Sequence, residues 1–160
     1  MKNQKGITLI ALVITIIVLL ILAGITIAML TGENGLLGRS QQASMDNAIA
    51  GAKDRISTEV QAGMATYLEK KYADITNSYT GLAPNEILTQ LKTIWNLDAS
   101  TPITDKDLNG CKVSVTVSTE NSVTTGEITI VKETRKVKGT IKADGTLEWG
   151  DIYTPTAANP

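Results

Sequence analysis

The chain has 160 residues, a formal net charge of −1, no histidine and a single cysteine. That length suits one domain of ordinary size and falls short of two. The near-neutral balance gives no global bias toward nucleic acid, the missing imidazole removes the commonest general base and zinc ligand, and the lone Cys111 excludes an intrachain disulfide.

The apolar fraction is 42%, concentrated near the N-terminus. Residues 6–32 carry no charge, and residues 7–30 form an apolar run of Ile, Leu, Val, Ala, Met and Thr broken only by Gly24. As a helix the run would be roughly 36 Å long, against a hydrocarbon core of about 30 Å. Lys2 and Lys5 precede it and Glu33 follows, which places its start in the cytoplasm and the remainder outside. An ordinary cleaved signal peptide has a shorter apolar core and a nearby small-x-small site. Here the nearest Ala-x-Ala, Ala48-Ile49-Ala50, lies far downstream. Hydropathy alone fits a plain uncleaved signal anchor equally well.

The local sequence Lys5-Gly6-Ile7-Thr8-Leu9-Ile10 resembles the class III signal of type IV prepilins and pseudopilins, over about the first forty residues. The resemblance implies that a membrane-embedded prepilin peptidase cuts between Gly6 and Ile7 on the cytoplasmic face and then methylates Ile7. Glycine, lacking a side chain, lets a protease approach the backbone closely. Family members usually carry Glu at the fifth mature position, where this chain has Ala11. That Glu is thought to pair with a neighbouring subunit's N-terminal amine, so its absence lowers the insertion cost and removes a register device. Some minor pilins and pseudopilins lack it too. The stretch from Ile21 to Ile27, running into Thr31-Gly32-Glu33-Asn34-Gly35, resembles pilin-like proteins of Gram-positive bacteria.

Residues 31–38, rich in Gly and Asn, read as a helix break. An amphipathic helix is expected from 39 to about 72. Its stripe is Met45, Ala48, Ile49, Ala52, Ile56, Val60, Gly63, Met64, Tyr67 and Leu68, with charged residues opposite. A loop over 74–83 leads to Pro84, which suits the first turn of a short helix to about 97, with Ile87, Leu88, Leu91, Ile94 and Trp95 on one face. From Cys111 the period becomes two: Cys111, Val113, Val115 and Val117 alternate with polar residues. Further strands are expected at 127–131, 136–143 and 147–149, with a hairpin turn at Ala143-Asp144-Gly145-Thr146. One apolar sheet face then needs the amphipathic helix as its cover. The expected class is α+β: a long N-terminal hydrophobic and amphipathic helix on a C-terminal antiparallel β-meander. The resemblance makes this the pilin fold, with residues 1–6 a cleaved leader, 7–30 a membrane and filament-core helix, 39–153 an extracellular domain and 154–160 a disordered tail.

Three groups invite chemistry. Asp105-Lys106-Asp107-Leu108-Asn109-Gly110 matches the opening of a D-x-D-x-N-G calcium loop, but position twelve would be Thr116 rather than a bidentate Glu, and a polar turn explains the same residues. Lys132, Arg135, Lys136, Lys138 and Lys142 form a basic cluster, either a solvated sheet face or a contact for DNA or an acidic surface; no aromatic is interleaved for base stacking. Cys111 reads as a buried structural thiol. No catalytic triad, zinc site or phosphate loop can be assembled, so neither enzyme nor cofactor is expected.

The resulting expectation is a structural subunit of a type IV pilus-like filament. It inserts in the cytoplasmic membrane, is processed by the peptidase, and is lifted by assembly machinery into a homo-oligomeric helical bundle. Ala11, Ala23, Gly24 and Ala28 would allow close packing there. The alternatives are a minor pilin or pseudopilin of a secretion or DNA-uptake machine, and a non-polymerising signal-anchored surface domain.

Overall fold

The structure, a computed structural model, describes residues 4–31, 35–76 and 78–159. Residues 1–3 of the expected leader, 32–34 of the expected break, Asn77 and Pro160 lie outside the described residues. The chain divides into two compact units, Met1–Ser44 and Met45–Pro160.

In the first unit, helix α1 spans Gln4–Thr31. Its apolar stretch Leu9–Leu30 has 22 residues, and each of them is exposed. Helix α2, Leu36–Ala73, begins in this unit and continues into the second. Residues 36–38, read as part of the break, are its first turn, and Arg39 N–H donates to the Gly35 carbonyl at 3.0 Å.

The second unit is a five-stranded antiparallel meander in the order β1-β2-β3-β4-β5: Ile103–Leu108, Cys111–Glu120, Val123–Lys132, Arg135–Ile141 and Leu147–Trp149. The amphipathic stripe buries Ile49, Ala52, Ile56, Val60 and Gly63. These pack with Ile87, Leu91 and Trp95 onto the inward sheet residues Cys111, Val113, Val115, Ile128, Ile130, Val137 and Ile141. Helix α3, Ala83–Ile94, has Pro84 in its first turn, where the missing N–H has no helical partner to lose. The α+β class is thus as expected: a long N-terminal apolar helix, further helices and an antiparallel sheet, an architecture consistent with the pilin fold.

Several details differ from the sequence reading. The sheet has a fifth strand, β1, over residues read as a polar turn. β3 begins at Val123 rather than 127, because Thr124 and Gly126 fill inward positions without an apolar side chain to announce them. Ile94, placed on the buried face of α3, is 41% exposed; burial instead follows Ile87, Leu91 and Trp95, spaced by four. Leu68, at the end of the α2 stripe, is exposed. The tail read as disordered carries local order: Thr156 and Asn159 exchange two backbone hydrogen bonds, and Thr154 Oγ1 accepts from Arg135. The β4–β5 connection is the expected hairpin. Gly145 N–H donates to the Lys142 carbonyl, and Gly145 has φ 88°, a conformation that favours glycine.

Candidate functional site

Gly6 and Ile7 lie in α1. Beyond them the helix presents apolar side chains on every side, so it has no face for solvent. Two threonines in the span satisfy their hydroxyls internally: Thr15 Oγ1 donates to the Leu12 carbonyl and Thr26 Oγ1 to the Leu22 carbonyl, each at 2.7 Å. Neither then leaves a polar atom unpaired in an apolar medium. The four small residues do not form one stripe. At ~100° per residue, Gly24 and Ala28 share a face, a small-x-x-x-small pair, while Ala11 and Ala23 point elsewhere. A Cβ on Gly24 would meet no atom within 4 Å.

The calcium-loop residues are dispersed by the fold. Asp105 sits at a β-bulge, where Ile103 pairs with Val115 and Lys106 with Val113; its φ is 50° and its backbone N–H donates to Ser114 Oγ. Asp107 accepts from Gly110 N–H at 3.0 Å, and Asn109 and Gly110 make the two-residue turn between β1 and β2. Among the described residues no group of three or more His, Cys, Asp or Glu is placed to hold a metal ion.

The basic cluster is also taken apart. Arg135 grips Asp46 of α2 through Nε at 2.8 Å and Nη2 at 3.2 Å, and it reaches Thr154 Oγ1 and the Ile152 carbonyl. Lys132 Nζ donates to the Gly110 carbonyl, and Lys142 pairs with Glu148, which raises the Lys142 pKa. Lys136 and Lys138 stay on the outer sheet face, opposite the buried Val137, Gly139 and Ile141. Cys111 is fully buried, and burial pushes its thiol pKa up, the opposite of an activated thiolate.

Charged side chains of α2 opposite the stripe, together with Ser57, tie elements to one another. Glu59 takes Trp95 Nε1–H at 2.7 Å and Arg55 Nε at 2.9 Å, while Ser57 Oγ takes Trp149 Nε1–H at 2.9 Å. At the far end, Glu86 accepts from Lys70 at 2.7 Å and from the Tyr79 hydroxyl at 2.6 Å. Those bonds, Lys70 first, hold the Glu86 carboxyl below its usual range, whereas burial and then Glu86 push Tyr79 up to about 12. Asp74, just past α2, is drawn down to about 2 by the Thr76 hydroxyl and N–H, with a further bond from Ser78. Apart from the i,i+4 pair Arg55–Glu59 and the Asp74 turn, only tertiary contact reveals these pairs.

Residues 1–27 match the family model of the prokaryotic N-terminal methylation motif, the class III signal of type IV pilins. No curated protein and no solved structure matches the chain. The N-terminus therefore carries the motif found in type IV pilin-like prepilins and pseudopilins, a motif that implies processing by prepilin peptidase and entry into pilus or pseudopilus machinery. The signal and the apolar helix behind it fit membrane insertion of the precursor.

Proposed function

We propose that the chain is a structural subunit of an extracellular type IV pilus-like filament. One observation carries the reading: the methylation motif opens directly into a helix whose apolar side chains from Leu9 to Leu30 are all exposed in the single chain. At about 1.5–3 kcal/mol for each large side chain, leaving that helix in water forfeits roughly tens of kcal/mol. Lipid satisfies it before assembly, and apolar helices of other copies satisfy it afterwards. The peptidase cuts between Gly6 and Ile7 and methylates Ile7. Residues 7–30 pass from membrane to filament core, with Gly24 and Ala28 at the closest approach, while residues 39–153 form the outer surface.

Ala11 favours a second reading within the same machinery, a minor pilin or pseudopilin, because the position that usually holds a charge for register is apolar. Gly6→Leu separates both from a plain anchor. If the reading holds, the variant stays in the membrane with residues 1–6 attached, while the wild-type chain loses them. Identical N-termini in both proteins would contradict it. Abundance in sheared surface material then decides between a major and a minor subunit.

A further inference from the structure

The β1–β2 connection carries chemistry that neither the leader nor the core uses. Asn109 and Gly110 are the central residues of the turn closed by the Leu108–Cys111 pair; both are exposed, with φ of 55° and 76°. Asn followed by Gly is the pair most prone to deamidation in a free chain, because no Cβ hinders attack by the next backbone nitrogen. The step needs only water. The Gly110 nitrogen gives up its proton and bonds to Cγ of Asn109; the Cγ–Nδ2 bond breaks and ammonia leaves with that proton. Water then opens the succinimide at either carbonyl, yielding aspartate or isoaspartate.

In this turn the nucleophile is occupied. Gly110 N–H donates to Asp107 Oδ1 at 3.0 Å. A carboxylate there opposes loss of the proton, since it places negative charge beside the nitrogen that must become negative. The Gly110 carbonyl is held separately by Lys132 Nζ at 2.9 Å, from β3. The left-handed backbone of both residues, normal for this two-residue turn, keeps the pair in a fixed conformation. We propose that Asn109-Gly110 is a latent deamidation site held closed by Asp107. For a protein exposed outside the cell, such a guard preserves an exposed hairpin against slow chemical ageing.

The test uses the full chain in detergent micelles at mildly alkaline pH, followed peptide by peptide by mass spectrometry. Asn34-Gly35, the other Asn-Gly pair in the sequence, serves as an internal comparison. Folded Asp107→Ala should deamidate at Asn109 about tenfold faster than the wild-type chain, the factor expected from one lost charge-assisted hydrogen bond. Unfolded in denaturant, the two chains should react there at equal rates. Lys132→Ala, which leaves the Asp107 bond in place, should accelerate the reaction less than Asp107→Ala. If Asp107→Ala fails to fold, Asp107→Asn takes its place, and an intermediate rate is expected. Wild-type rates in the folded variants would overturn the proposal, as would a difference that persists in denaturant.

Discussion

The same substitution at two glycines of α2 should move stability in opposite directions. A Cβ on Gly63 would lie 2.9 Å from Ile87 Cα and 3.3 Å from its Cγ1. The nearer atom is backbone, so α3 as a whole must shift, and overpacking of that kind costs about 1–3 kcal/mol. Alanine returns about 1 kcal/mol of helix propensity, leaving Gly63→Ala destabilised by about 1 kcal/mol. At Gly51, exposed on the same helix, an added Cβ meets no atom within 4 Å. There the propensity term stands alone, and Gly51→Ala should gain up to ~1 kcal/mol. The two variants should therefore differ in Tm by roughly 8 °C. Trp95 and Trp149 both belong to the sheet-bearing unit, so the tryptophan fluorescence of the full chain in detergent follows its unfolding. Shifts of the same sign at both glycines would refute the claim that the α2–α3 contact needs a residue without a side chain.

Three further outcomes follow from the contacts. Asp46→Ala leaves the mostly buried Arg135 without its bidentate partner, and should cost about 1–2 kcal/mol in urea titration, discounted for the partial exposure of Asp46. Ser122, with φ 66° in the β2–β3 turn, is strained as a residue with a side chain, so Ser122→Gly should stabilise the protein by about 1 kcal/mol in the same titration. The loop between α2 and α3 should respond to pH at both ends. The Glu86 pKa is lowered on folding, so its contribution is present above the ordinary carboxylate range and is lost as pH falls through the lowered value. The Tyr79 pKa is raised to about 12, so its contribution is complete below the ordinary 10.0 and is lost as pH climbs toward about 12. Ultraviolet titration of tyrosinate should show Tyr79 ionising late, and Glu86→Gln should bring it earlier.

Legibility followed periodicity. The α2 stripe from Ile49 to Val60 and the alternation from Cys111 to Val115 announced core positions because each repeats at the period of its element. β1 gave no such signal. Only its two ends, Ile103 and Leu108, are buried, and the extra residue at the bulge breaks the alternation between them. A D-x-D-x-N-G reading of the same residues therefore fitted the sequence and missed the strand. The basic cluster dissolved for a different reason. Charge adjacency in sequence says nothing of partners that come from Asp46 or Glu148, and those partners decide which cations remain for solvent. The methylation motif was readable because its signal is local: a glycine at the junction of a basic stretch and an uncharged span.

Covalent processing and export into a filament would both be recorded in the mass of the exported protein. The most direct measurement is the intact mass of the protein in sheared-surface and membrane fractions of its native host. A mass in the sheared fraction matching residues 7–160 plus one methyl group is the predicted result. The full chain from Met1, found only in membranes, would contradict the account and leave a signal-anchored surface domain in its place.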